Sequence, residues 1–178
     1  FFDKTSPSFV GNIYVIGRLL NLFYNLLMLL YIYKFLKDEL KIQSTKAAFC
    51  LIAIFSLLTH LSYSVRPDSL SLLFIFLSVY FFVKYSNKNT LVSLLLAALF
   101  PCLAFYTKQD AVFVVFPCIL FLLINFRIIN LIKFGLAFSF LFALLSGIFY
   151  MLYGELIFKS VLMGVNTGFK ISNAYWVY

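Results

Sequence analysis

The chain alternates between long apolar blocks and short polar links. The blocks run for roughly 15 to 23 residues, close to the length a helix needs to cross a hydrocarbon layer about 30 Å thick. Their positions predict an all-α fold, a polytopic transmembrane helical bundle of about six spans. The spans are expected near residues 13–35, 47–64, 69–83, 91–106, 111–125 and 132–153. They make residues 1–153 a partial helical bundle and leave 154–178 as an outer-face loop or interfacial helix. The third, fourth and fifth spans are short, which a locally thinned bilayer or helix ends buried against protein can accommodate.

Composition strengthens this reading. Hydrophobic residues make up 64% of the chain and charged residues 11%, against about half and about a quarter in a soluble domain. Phe, with 24 copies, suits lipid-facing and interhelical surfaces, and the 12 Tyr suit the headgroup level. The net charge of +8 would suggest nucleic acid in a soluble protein, but the basic residues sit between apolar blocks, where they set topology. Cys50, Cys102 and Cys118 lie inside apolar blocks with no CxxC pair, so disulfide and metal readings are weak. The chain begins at Phe1 without a signal peptide and ends at Tyr178 in a polar, aromatic stretch, and both ends read as cut from a longer protein.

Placing the links after the first, third and fifth spans in the cytoplasm puts 8 basic residues there: Lys34, Lys37, Lys41, Lys46, Lys84, Lys88, Arg127 and Lys133. The other side then carries 6, namely Lys4, Arg18, Arg66, Lys108, Lys159 and Lys170. The Lys/Arg bias favours this orientation.

The charges on the less basic side are the informative ones. Arg18 follows Gly17 near the mouth of the first span, Arg66 and Asp68 sit in SVRPDSL, and Lys108 and Asp110 sit in YTKQDA. The last two links are so short that their charges must lie near the membrane surface. Charged groups there are either snorkelling and capping groups or parts of a polar site. Three clusters on one face favour a site. Pro67 gives the second span a rigid stop, and Asp68 and Asp110 can cap the spans that follow them.

Other features have ordinary readings. Pro101 and Pro117 inside spans are expected to kink them. His60, the single histidine, suits an interhelical hydrogen bond, as do Thr59, Ser62 and Ser64. Residues 156–163 suit a short amphipathic helix at the interface, with Tyr175, Trp176 and Tyr178 as anchors or as part of a carbohydrate- or lipid-facing loop. No GxGxxG, P-loop, HExxH or GxSxG motif occurs, and Asn166 in NTG is no glycosylation signal.

Three segments carry a family resemblance: Gly17–Arg18–Leu19–Leu20, Arg66–Pro67–Asp68 with the following SLSLLFIFLSVYFF, and LLLAALFPCLAFYTKQDAVFVVFPCILFLL with Thr107, Lys108 and Gln109 at its core. Together they resemble the multi-spanning glycosyltransferases that use lipid-linked sugars, the protein mannosyltransferase and aminoarabinose transferase superfamily. Ala97, Ala98 and Pro101 stand where that family usually has glycines.

The resemblance implies transfer of a sugar from a polyprenyl-phosphate donor to an acceptor glycan, lipid or protein on the outer face of a bacterial cytoplasmic membrane. It implies Arg18, Arg66, Lys108 and Gln109 as phosphate or substrate contacts, with Asp68 orienting one of them or touching the sugar. The family's catalytic aspartate lies in the first outer loop, a region expected upstream of Phe1. Asp3 lacks the expected acidic setting and is not assigned that role. Some relatives use a divalent metal and others do not, so the cofactor stays open. The rival readings are a transporter or flippase for a lipid-linked saccharide, which is expected to carry ionisable groups at mid-depth, and a non-catalytic scaffold.

Overall fold

A computed structural model of the chain describes residues 7–44, 46–47, 50–51, 54 and 68–155. Its main elements are helical, and among the described residues there is no strand. The chain is an all-α membrane helical bundle. Helix α1 spans Pro7–Lys34 and runs into a single π turn at Phe35–Glu39. Helix α2 is Asp68–Lys88 and α3 is Leu91–Thr107. A 3-10 turn at Gln109–Val114 leads into α4, Val115–Ile124, and α5 is Ile128–Tyr153.

Three apolar stretches are long enough to cross a membrane: Tyr14–Glu39, Asp68–Lys88 and Ile128–Tyr153. Leu91–Thr107 and Gln109–Ile124 are shorter. The span expected at 47–64, with His60 and its polar neighbours, falls mostly outside the described residues, as do residues 156–178.

Helices α1 and α5 start earlier than their expected spans, at Pro7 and Ile128, and two further differences from the sequence reading have identifiable reasons. Helix α2 continues past residue 83 to Lys88, because Lys84 does not end it. Its ammonium lies 5.9 Å from the ring centres of both Tyr80 and Phe81, so the aliphatic stem lies along the helix while the charge rests over aromatic faces. Pro117 lies in the first turn of α4 and not within a long helix, a position where a missing N–H costs little.

Helix α3 is central, packing against both α2 and α5. Its inner faces are built from small or compact residues: Ala97, Ala98, Pro101, Cys102 and Ala104 are all buried. Small side chains let neighbouring backbones approach closely, which is how helices associate where lipid removes the hydrophobic driving force. Pro101 cannot donate to the Ala97 carbonyl one turn back, and the Ser78 hydroxyl on α2 donates to that carbonyl instead, at 3.1 Å. Phe82, Tyr85, Leu94, Cys118, Leu122 and Phe134 close the core around this seam.

The pairings also set direction. Tyr31 meets Tyr80, Phe35 meets Phe76 and Tyr80, and beyond them Glu39 meets Asn87, so the end of α1 with its π turn and the end of α2 lie together and the two helices run parallel. The Asn87 amide donates to Glu39 at 2.8 Å where both segments end. Helices α2 and α3 are antiparallel across a two-residue link, in which Asn89 takes a left-handed conformation (φ 52°), a common way to end a helix. Cys102 faces Phe138 and Phe105 faces Phe142, so α3 and α5 run parallel. The outer face of α5, including Leu136, Phe140, Met151 and Leu152, stays exposed, as a lipid-facing surface would.

Candidate functional site

At the end of the bundle where α2 begins and α3 finishes, the structure brings two of the expected residues into contact. Asp68 is the first residue of α2, where a carboxylate is favoured by the unpaired N–H groups and the helix dipole. Lys108 follows α3 in an extended conformation (φ −156°, ψ 120°). Its backbone is held on both sides: its N–H donates to the Ala104 carbonyl at 2.8 Å, and its carbonyl accepts from the Ala111 N–H at 2.9 Å. Clamped there, its side chain crosses to α2, and Nζ donates to Asp68 Oδ1 at 2.8 Å. Lys108 remains 48% exposed and Asp68 26%, so the pair is reachable from outside the bundle.

The pair borders an open cleft of about 390 Å³. Asp68, Ser71, Leu72 and Ile75 line it from α2, and Lys108, Asp110 and Ala111 from the connection after α3. The charged groups of the described lining are Lys108 against Asp68 and Asp110, a net of minus one, so an anionic headgroup would meet Lys108 as its cation there and would need a further cation to offset the second carboxylate, while Leu72 and Ile75 offer apolar surroundings to an attached hydrocarbon.

The remaining expected residues fall elsewhere. Arg18 is exposed on α1 and is occupied by Tyr14: its Nη2 donates to the Tyr14 hydroxyl at 2.9 Å, and its guanidinium carbon lies 4.3 Å from that ring's centre. It is not among the residues that line the cleft. Gln109 opens the 3-10 turn next to Lys108 and does not line the cleft either. Arg66, Pro67 and Asp3 lie outside the described residues.

The sequence makes Asp110 a candidate cap. This aspartate is the second residue of the 3-10 turn, whose N-cap position belongs to Lys108, and it also lines the cleft. Ser71, which carries no motif in the sequence, also lines the cleft, because it sits one turn after Asp68 and therefore on the same helix face. Among the described residues no group of three or more His, Cys, Asp or Glu side chains converges.

A family of sequences described as dolichyl-phosphate-mannose-protein mannosyltransferase matches residues 8–153. The chain belongs to that family. No curated protein and no solved structure matches it. The mannosyltransferase match runs from the first turn of α1 to the last residue of α5, so the Asp68–Lys108 pair lies inside it. The family, together with the three long apolar helices, makes this an integral membrane protein of a membrane glycosyltransferase family of the mannosyltransferase type.

Proposed function

We propose that the protein transfers a sugar from a polyprenyl-phosphate carrier to an acceptor at the outer face of the membrane, and that the Asp68–Lys108 cleft forms part of the wall that receives the donor's phosphate. The observation that carries this reading is the Lys108–Asp68 contact at 2.8 Å beside an accessible cleft, within the segment that matches the mannosyltransferase family. A bacterial cytoplasmic membrane is the setting implied by the resemblance to bacterial relatives.

The chemistry follows from the charges. An oxygen or nitrogen of the acceptor attacks the anomeric carbon, and the bond from that carbon to the phosphate oxygen breaks. The electron pair leaves with the lipid phosphate, and the acceptor's proton passes to a general base. Negative charge builds on the phosphate as the bond breaks, and the Lys108 ammonium stabilises it. Asp68 keeps that ammonium in place and so acts as a positioning residue. Arg66, two residues before Asp68 in sequence, would add a planar fork suited to two phosphate oxygens. Arg18 and Gln109 remain proposed contacts of the bound donor outside the described cleft lining.

The test is turnover of a polyprenyl-phosphate sugar by the full-length protein in membranes or nanodiscs. Lys108→Gln is expected to lower kcat at least about tenfold with folded yield unchanged. Full turnover in Lys108→Gln would remove the cleft from the reaction. Movement of intact donor across the bilayer without sugar transfer would favour a flippase.

A further inference from the structure

A second recess lies on α1 at the opposite end of the bundle. Leu27, Leu30, Tyr31, Tyr33, Lys34, Lys37 and Asp38 line it, with a volume of about 530 Å³. These residues recur every three or four positions, so they form one strip from the helix body into the π turn at Phe35–Glu39. The strip changes character along its length. Leu27 and Leu30 form its apolar part, the tyrosines lie in the middle, and the charges sit at the end. That gradient matches a glycerophospholipid, with acyl chain, ester level and headgroup in the same order.

We propose that this recess binds one anionic phospholipid, with the phosphodiester between Lys34 and Lys37 and an acyl chain along Leu30 and Leu27. The proposal is independent of the sugar-transfer reading. Charge selects the occupant: two lysines and one aspartate leave a single net positive charge on the lining, which complements a headgroup of net charge minus one. Asp38 disfavours a headgroup with several negative charges. Lys34 and Lys37 are both exposed, and the Lys37 ammonium lies 6.0 Å from the Tyr33 ring centre, which keeps it on the side of the recess. Leu30 is 64% exposed on an apolar helix, so this flank of α1 is open to a lipid chain. The π turn is a further mark, since such widened turns recur at binding sites.

The experiment is native mass spectrometry of the full chain from neutral detergent, titrated with phosphatidylglycerol or phosphatidylcholine. The wild type is expected to retain one phosphatidylglycerol with an affinity about tenfold or more above that for phosphatidylcholine, and Lys34→Gln/Lys37→Gln is expected to erase the difference. Lys88→Gln/Lys133→Gln removes two exposed lysines outside the recess and is expected to change the affinity less than about twofold. Equal binding of the two lipids would overturn the proposal. So would an equal loss in the Lys88/Lys133 variant, which would point to a diffuse basic collar. Displacement of the lipid by inorganic phosphate alone would show a simple anion site and overturn it too. If the double glutamine variant fails to fold, Lys34→Gln and Lys37→Gln singly are each expected to lose about threefold, and no loss in either would end the proposal.

Discussion

The Ser78 hydroxyl donates to the carbonyl of Ala97, the carbonyl that Pro101 leaves without its usual amide partner one turn along α3. Both residues are fully buried, so no water can take over the task. The proline and the serine lie on different helices, yet they solve one hydrogen-bonding problem between them.

This relationship makes a prediction for stability. Ser78→Ala is expected to destabilise the bundle by about 1 kcal/mol, because a buried acceptor loses its donor. In a Pro101→Ala background residue 101 regains an N–H for Ala97, and the cost of Ser78→Ala is expected to fall towards zero. Unfolding of the four proteins in mixed micelles measures the coupling. Equal costs in the two backgrounds would show that the serine and the proline are independent.

The Asp68–Lys108 pair is expected to matter for turnover more than for folding. It is partly exposed, and surface ion pairs contribute less than about 1 kcal/mol to stability. Asp68→Asn keeps the shape but weakens the hold on the ammonium. It is expected to raise KM for the polyprenyl-phosphate sugar several-fold, with melting temperature within about 2 °C of wild type. Lys108→Arg is expected to retain more activity than Lys108→Gln. A large loss of stability in Asp68→Asn, with normal KM in the folded fraction, would make the pair a structural clamp only.

Arg66 separates a phosphate contact from a surface charge. Arginine offers two parallel N–H groups to phosphate, whereas lysine is a point charge. Under the phosphate-binding reading Arg66→Lys is expected to lose activity about tenfold despite its conserved charge. Near-normal turnover in Arg66→Lys would defeat the two-bond contact, and the same result in Arg66→Ala would take the residue out of the site.

Orientation in the membrane is open to direct labelling. Lys84 belongs to the last turns of α2 and Lys108 to the far end of α3, so the two lie at opposite ends of an antiparallel pair. With Cys50, which is exposed, replaced by alanine, a cysteine at position 108 is expected to react with an impermeant maleimide from outside, and one at position 84 is expected not to. Cys102 and Cys118 are buried and should contribute little background. The reverse pattern would invert the orientation and place the cleft on the cytoplasmic side.

Helix type, approximate span positions and membrane class were determined by the sequence alone, because they depend on local sums: a run of apolar residues has few alternatives to a lipid-exposed or buried helix. The separation of Lys34, Lys37, Lys84, Lys88 and Arg127 from Lys108 was determined the same way, since alternating links fall at alternating ends of the bundle. The tertiary structure decided which distant side chains meet. Asp68 and Lys108 are separated by 40 positions, and their contact depends on how far α2 and α3 are rotated and slid against each other. Apolar periodicity does not specify that rotation in helices that are hydrophobic on nearly every face. For the same reason only the fold shows that Asp110 and Ser71 border the cleft, and that Ser78 serves the carbonyl left open by Pro101. Each of these depends on the direction in which a side chain leaves its helix, and that direction is set by the packing of small residues such as Ala97, Ala98 and Ala104 along α3.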